Sequence, residues 1–476
     1  MNVLHLSAEC YPVAKAGGLG DVVGALPKYQ KQEGVQASVV MPFYNRKFTQ
    51  EHSLINVFSS SSNLGQRVFD YEILKEEKDV LGFELYLVKI PSLLDREEIY
   101  CYPDEIEQFV AYQIAVVDWL VKANIQVDLV HCHDHHAGLV PFLMQHSSRF
   151  NTLKDVPTVL TIHNGQYQGW LGWDKFYYLP DADTSKTGLL DWGGCINSLA
   201  AAVKCCWAYT TVSPSYLAEL KHQANGLEFL FELEQQKGIG ILNGIDPAVW
   251  NPAKDKMIAK TYTATSVVQG KAFNKAEICR AFGLDETKPL FTFIGRLVLE
   301  KGADKLADAI RDSFKAFEGQ ISVLVLGSGE KYIEQQLVDL KEEFKDYNVY
   351  IGYNEELSHQ IYAGADFILM PSRVEPCGLN QLYALKYGTV AIVRATGGLK
   401  DSIIDMDDTD GYGIRFDNCE VSDIVKAIER AIYLYQDNQK LTQIRKSMMS
   451  LDFSWNKSAQ QYIQLYNSLI QQYGTI

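Results

Sequence analysis

The sequence predicts an α/β protein of two doubly wound domains facing a cleft, each a parallel sheet with helices on both faces. Three observations lead there. At 476 residues the chain exceeds what one ordinary core encloses. Short apolar runs alternate with helical patterns, first to about Gly244 and then again beyond it, which implies buried parallel strands joined by right-handed crossovers. A G-G-L-x-D turn also follows a buried strand twice, once per half, at Gly17 to Asp21 and at Gly397 to Asp401. The boundaries are expected at 1–248 and 249–455.

Taken in order, Val3-Leu4-His5-Leu6 reads as the first strand, and Gly17 and Gly18 break the chain before the apolar positions Val22, Val23, Ala25 and Leu26 of a helix. A glycine turn between a strand and a helix start lets a phosphate approach outward-pointing amides, and Lys15 adds a full positive charge. A glycine turn alone is only a turn; the echo at 396–401 is what suggests two facing phosphate loops. Strands are expected at 37–42, 83–90, 127–131, 158–162 and 208–212, with helices at 105–123 and 198–206. A polar loop, 252–271, opens the second half. It cycles through strands at 291–297, 321–326, 349–352, 367–371 and 389–395 and helices at 303–314, 331–344, 355–363 and 379–387. Ligands of such sheets lie beyond the carboxyl ends of the strands, and the polar residues collect there.

Composition narrows the partners. Hydrophobic content of 47% and charged content of 22% suit a soluble globular enzyme, and a formal net charge of −15 excludes nucleic acid as the main partner. Nine scattered cysteines without a C-x-x-C pair point to reduced thiols in the cytoplasm. No leader-like N-terminus and no bilayer-length apolar run is visible, so no membrane is expected.

Four clusters carry chemistry. In His131-Cys132-His133-Asp134-His135-His136 the run comes close to the H-x-H-x-D-H of binuclear metallohydrolases. It fails at the second acid, where His135 stands, and no later cluster completes a ligand set. No metal is therefore expected, and Asp134 reads as a hydroxyl acceptor at a strand tip. His163 and Asn164 end another strand and suit a sugar or phosphate oxygen. Arg296 and Lys301 offer a fork and a point charge for a diphosphate. Glu375 precedes Cys377, Gly378 and Leu379, a turn whose amides suit an anion while the carboxylate meets sugar hydroxyls.

These residues together resemble the glycogen synthase family shared by bacteria and plant starch synthases. The matching motifs are K-x-G-G-L (Lys15 to Leu19), H-D-x-H around Asp134 and His136, T-I-H-N (Thr161 to Asn164) and T-T-V-S-P-S-Y (Thr210 to Tyr216). I-L-N-G-I-D (Ile241 to Asp246), R-L-x-x-x-K-G (Arg296 to Gly302), P-S-R-x-E-P-C-G-L (Pro371 to Leu379), K-Y-G-T and G-G-L-K-D complete them in the family's order. The resemblance implies the GT-B glycosyltransferase fold, with 456–476 as a C-terminal helix crossing back to the first domain. It implies transfer of glucose from ADP-glucose to the non-reducing end of an α-1,4-glucan, with retention and without a cofactor. Front-face attack, the leaving phosphate acting as base, is the mechanism it implies.

By that resemblance Lys15 and Gly18 meet the donor phosphates, Asp21 belongs to the donor site, Arg296 and Lys301 neutralise the leaving diphosphate, and Glu375 holds the donor sugar. His163 meets the 6-hydroxyl, while Asp134, Asn164 and Asn243 lie on the sugar side and Tyr353 near the base. Cys377, Gly378, Leu379 and Asn380 line the donor. The chain departs from the family at Ala16, His135, Ala200, Glu300 and Asn380, which bears on donor affinity and acceptor choice. Two rivals follow: a glucan- or nucleotide-binding member with weakened catalysis, and a glucosyltransferase with another acceptor.

Overall fold

The apolar run before the first G-G-L turn forms β1 (Asn2–Leu6), with four of five residues buried. The helix that follows, Gly18–Gln32, buries Leu19, Val22, Val23, Leu26 and Tyr29, the i, i+3, i+4 spacing of one helical face. In the computed structural model, which describes residues 1–473, this pair begins the first of two units. That unit comprises Met1–Leu242 together with the segment from Trp455, and the second is Asn243–Ser454.

The first unit continues with β2 (Gln36–Pro42), β3 (Leu54–Leu64), β4 (Arg67–Glu76), β5 (Glu84–Lys89), β6 (Leu129–His133) and β7 (Thr158–Ile162). Then come β8 (Trp170–Leu171), β9 (Asp191–Trp192), β10 (Cys195–Asn197), β11 (Ala208–Thr211) and β12 (Gly238–Gly240). Nine of them form one sheet in the order β12-β11-β7-β6-β1-β2-β5-β4-β3, and β8-β10-β9 form a small one. Here the expectation of an all-parallel sheet is corrected. β3 and β4 make an antiparallel hairpin, and β4 runs antiparallel to β5. The connection between β3 and β4 is only Gly65-Gln66, too short for a parallel crossover, and Gly65 takes the positive φ the turn requires. The half-exposed, serine-rich β3 carries no continuous apolar signal.

The second unit holds β13 (Leu290–Leu297), β14 (Ser322–Gly329), β15 (Tyr347–Ile351), β16 (Phe367–Met370), β17 (Val390–Arg394) and β18 (Ile414–Phe416). Their order is β15-β14-β13-β16-β17-β18, all parallel. The polar loop expected to reach residue 271 stops earlier, because Val267–Phe282 is helical. The helices Val421–Gln436 and Asn438–Met449 complete the unit.

After them the chain returns to the first unit as the helix Trp455–Tyr473. Its stripe of Trp455, Ala459, Tyr462, Tyr466 and Leu469 packs on Val22, Leu26 and Tyr29. Each fully buried side chain of that kind contributes about 1.5–3 kcal/mol. Among the described residues no helix is long and apolar enough to cross a membrane.

Both sheets have a point where strand order reverses, and there the loops at the carboxyl edge diverge to leave a crevice. In the first unit β1 lies between β6 and β2, so the loop with Lys15 emerges beside the loop with Asp134. In the second unit β13 lies between β14 and β16, which brings the Arg296–Lys301 loop beside the Ser372–Glu375 loop.

Candidate active site

In the first unit the glycine turn is built around a residue the sequence did not single out. Glu9, only 3% exposed, accepts hydrogen bonds at Oε2 from the amides of Ala16 (2.7 Å) and Gly17 (3.0 Å). Its Oε1 accepts from the Tyr100 hydroxyl at 2.6 Å. The chain's own carboxylate therefore occupies the first two amides of the loop. The helix proper starts at Gly18, whose first-turn N–H groups have no intrahelical acceptor. Lys15 Nζ reaches the Asp21 carboxylate, 2.6 Å from each oxygen. Two residues expected to bind the donor thus meet each other, as a half-exposed pair.

Asp134 takes a positive φ of 56° and is buried. The sequence reading made it an acceptor for a sugar hydroxyl. Its Oδ1 accepts the His163 amide at 2.7 Å, and the Asn164 amide also bonds the carboxyl, so Asp134 positions the chain that carries both residues. Burial raises this carboxyl to about 7 against the pull of those two amides. Asn164 Oδ1 closes a turn on the Gln166 amide, and Tyr216 Oη accepts the Gly165 amide at 2.9 Å. Burial lowers the His163 ring to about 3, so it is neutral, and His133 Nδ1 stands 3.0 Å from its Nε2.

The His131–His136 run resolves by strand alternation. β6 runs two residues further than expected, so His131 and His133 point to one face of the sheet while Asp134 sits at its tip. His5, His131 and His133 bring ring nitrogens within 4.8 Å of one another, a grouping the sequence did not show. All six of those nitrogens have a hydrogen-bond partner within the protein: Gln30, Tyr466, Thr161, His163, or one another. His135 instead packs on His136, with ring centroids 3.7 Å apart, and against Gly169.

In the second unit Lys301 Nζ lies 2.6 Å from both oxygens of Glu375, and Ser372 Oγ donates to Oε2 at 2.9 Å. The sequence reading gave these two residues separate tasks, and here they form one bidentate pair. Strand order makes this possible, since the β13 and β16 loops are neighbours. Arg373 braces them, its guanidinium bonding the Leu299 carbonyl (2.7 Å) and forking onto Asp304. Arg296 is largely exposed and faces Glu300 at 3.5 Å, so Glu300 answers Arg296 and leaves Lys301 to Glu375.

Asn380 was expected to line the donor. Its Nδ2 donates to the Ile294 carbonyl at 2.6 Å, which commits one of its two hydrogens to the fold. Cys377 is buried, its thiol pushed up to about 12 by burial, and the Asn243 amide lies against its sulfur. Asn243 Oδ1 is buried without a hydrogen-bond partner, an arrangement that costs about 1–3 kcal/mol until something donates to it. Gly378 takes φ +75°, where a side chain would strike Gln381, and Leu379 caps the short helix Asn380–Lys386. Tyr353 stands out into solvent, 83% exposed. Ala200 is wholly buried in the first turn of the helix Ser198–Cys205, where its amide bonds Asn197 Oδ1.

The second G-G-L turn has different surroundings from the first. Gly397 and Gly398 are pressed against the Glu375–Cys377 backbone, and the Gly398 amide bonds the carbonyls of Glu375 (3.1 Å) and Pro376 (3.2 Å). The helix they start, Gly397–Ser402, is a short one. Here the glycines let backbone meet backbone beside Glu375.

Residues 2–232 match the family described as starch synthase catalytic domain, and residues 274–448 match glycosyl transferases group 1. The chain is 53% identical over 473 residues to a glycogen synthase of Flavobacterium johnsoniae, covering 99% of this chain and 100% of that one. It is 37% identical over 490 residues to a glycogen synthase of Bacillus cereus, again covering 99% and 100%. Among solved structures it matches the catalytic domain of starch synthase IV from Arabidopsis thaliana bound to ADP and acarbose. There the TM-score is 0.87 at 30% identity, over 98% of this chain and 99% of that one. A sucrose-phosphate synthase from Thermosynechococcus elongatus shares the fold, with a TM-score of 0.64 at 17% identity over 99% of each chain.

Proposed function

The chain belongs to the glycogen synthase family and is a glycosyltransferase of the GT-B fold, and from that premise we propose how its residues carry out the reaction. The donor is ADP-glucose, the acceptor the non-reducing end of an α-1,4-glucan, and the anomeric configuration is retained. The observation that carries the site assignment is the braced Lys301–Glu375 pair at the reversal point of the second sheet.

As the glucosyl C1–O bond breaks, the electron pair stays on the leaving ADP, and the acceptor 4-hydroxyl oxygen bonds C1 from the same face. The acceptor proton passes to the departing phosphate oxygen. Lys301 and Arg296 meet the charge that grows on that phosphate, and Lys15 with the first-turn amides from Gly18 adds to it, preorganised charge being strongest where it develops. Glu375, fixed by Lys301 and Ser372, presents an oriented carboxylate to sugar hydroxyls. His163 takes the 6-hydroxyl, and Asn164 and the unpartnered Oδ1 of Asn243 serve the sugar side. Asp21 governs how freely Lys15 moves, and Tyr353 lies by the base. Cys377, Gly378, Leu379 and Asn380 shape the donor wall.

These groups supply the positive charge, so no divalent metal is required. The nine unpaired thiols support a cytoplasmic setting. The decisive experiment incubates the protein with labelled ADP-glucose and a malto-oligosaccharide in excess chelator. Lengthening of the oligosaccharide by α-1,4-linked glucose is the expected result. Binding without elongation would favour the weakened binding protein, transfer only to another acceptor would favour the second rival, and a rate restored by zinc or manganese would refute the metal-free reading.

A further inference from the structure

We propose that the His163 ring is set in tautomer and orientation by a buried hydrogen-bonded wire that runs through His133 and His5 to Gln30. In this wire Tyr466 of the C-terminal helix holds the far end. Sheet register builds the path. His5 stands opposite His131, His133 opposite Thr161, and Thr161 opposite Thr210, so all five side chains share one face of four adjacent strands. All five are 0% exposed, as are Gln30 and Tyr466. The contacts are short: His163 Nε2 to His133 Nδ1 at 3.0 Å, His133 Nε2 to His5 Nδ1 at 3.0 Å, and His5 Nε2 to Gln30 Oε1 at 2.8 Å. Beyond Gln30, its Nε2 donates to Tyr466 Oη at 3.0 Å, and Tyr466 Oη lies 2.6 Å from His131 Nδ1. His131 Nε2 meets Thr161 Oγ1 at 2.6 Å, and Thr161 meets Thr210 at 2.6 Å.

Proton counting gives the wire a direction. Each ring is deeply buried and neutral, so it carries one N–H and one lone pair. Gln30 Oε1 can only accept, so the His5 proton is on Nε2 and His5 Nδ1 is an acceptor. His133 then carries its proton on Nε2 and accepts at Nδ1, which places the His163 proton on Nε2, facing inward. The remaining nitrogen, His163 Nδ1, is a lone pair. On the other branch the Gln30 amide donates to Tyr466, whose hydroxyl donates to His131, and the order continues into Thr161. Reversing Gln30 would reverse every link and make His163 Nδ1 a donor. Gln30 and Tyr466 are thus positioning residues that decide whether His163 offers a lone pair or a proton. The consequence for transfer rests on the reading of His163 as the partner of the donor's 6-hydroxyl; the wire does not.

The test uses the full-length chain labelled with 15N in its histidine rings, with His163→Gln to assign the signals. In the unaltered protein His163 should show a protonated Nε2 and an unprotonated Nδ1. Gln30→Met removes the acceptor, and Tyr466→Phe removes the hydroxyl that fixes the amide. Either should move the His163 proton partly or wholly to Nδ1. Transfer kcat should fall by up to about tenfold, the scale of one neutral hydrogen bond. ADP affinity should stay unchanged, since ADP carries no 6-hydroxyl. If Gln30→Met fails to fold, Tyr466→Phe decides alone. A His163 that keeps its proton on Nε2 in the folded variants, or holds it on Nδ1 in the unaltered chain, overturns the wire. A tautomer that responds while kcat does not upholds the wire and refutes the 6-hydroxyl role.

Discussion

A methyl group added at Gly17 or Gly18 would meet nothing within 4 Å, whereas at Gly397 it would lie 2.0 Å from the Glu375 carbonyl and at Gly398 2.1 Å from that of Cys377. One motif serves two ends. In the first unit it leaves room for something outside the chain, and in the second it lets the chain touch itself. The lysines differ in the same sense: Lys15 and its Asp21 are 40% and 29% exposed, Lys301 and Glu375 24% and 8%. The interiors diverge too. The first unit buries neutral histidines, while the second buries ion pairs, with Asp366 between Lys275 and Arg445 at 2.6 Å each. A repeated motif in two sheets of like design is therefore no guide to a repeated role until the neighbours of each glycine are known.

Acid should separate the units most strongly. Burial lowers His5 and His135 to about 4 and His163 to about 3, and holds His131, His133 and His136 well below the ordinary value. All six belong to the first unit. Below the ordinary histidine pKa the unfolded chain binds protons that the folded unit refuses, so stability falls as pH falls. Each ring costs ~1.4 kcal/mol per pH unit until its folded value is reached. Asp134 works the other way: raised to about 7, it takes up its proton earlier when folded and offsets about one ring. The net effect is a first unit that loses stability as pH falls below the ordinary histidine value. The second unit has a single histidine, His359, paired with Asp255 at 2.7 Å. Hydrogen exchange at pH 7.5 and 5.5 should show amides of the first unit losing protection first, and the reverse order would refute the contrast.

The buried lysine pair gives the next largest effect. Glu375→Ala should reduce transfer about 100- to 1000-fold, the usual scale for one preorganised electrostatic group. Because the same change frees Lys301 from a carboxylate 2.6 Å away, ADP should bind more tightly than to the unaltered protein. Lys301→Ala should weaken ADP and slow transfer together, and it strands a buried acid. Calorimetric titration of both variants with ADP separates the roles. Weaker ADP binding by Glu375→Ala would mean that the carboxylate supports the diphosphate site instead of competing for its lysine.

The glycines themselves come third. Gly398→Ala forces a methyl into the Cys377 backbone and should cost about 1–3 kcal/mol, with transfer lost as Glu375 shifts. Gly17→Ala, at φ −145° in open space, should change stability by less than about 0.5 kcal/mol and raise KM for ADP-glucose. Thermal unfolding and steady-state rates on the two variants suffice. Equal melting temperatures would erase the distinction between the turns.

What the sequence allowed one to read follows from range. Strand and helix periodicity is local, so β7 was located to the residue and most strand–helix cycles to within two or three. The serine-rich hairpin was not, because half-exposed edge strands lack the apolar run that marks a buried one. The cations, the acid and the polar residues were legible as types at strand ends. Their pairings were not. Lys301 and Glu375 are 74 residues apart and meet only because β16 lies beside β13. The H-x-H of β6 invited a metal reading, since alternation shows two rings on one face but not that His5 stands opposite. Gln30 and Tyr466, 436 residues apart, have no local signature at all. Glu9 gave only an acid after a strand, and nothing in its neighbours reveals that it would fill the amides of Ala16 and Gly17.

The smallest effect tests the exposed pair. Asp21→Asn keeps the shape of the side chain and removes the charge that holds Lys15. An exposed lysine–carboxylate pair contributes about 0.2–1 kcal/mol, so the melting temperature should barely move. Lys15 would then be freer to meet donor phosphate, and KM for ADP-glucose should fall by less than about fivefold at low ionic strength. Salt screens exposed charges over ~8 Å at 0.15 M and ~3 Å at 1 M, so the gain should vanish as salt rises. The Glu375→Ala defect, arising at a buried carboxylate, should persist across the same series. A KM that rises in Asp21→Asn and stays raised at high salt would place Asp21 on the donor itself, and Lys15 would then be the residue held in reserve.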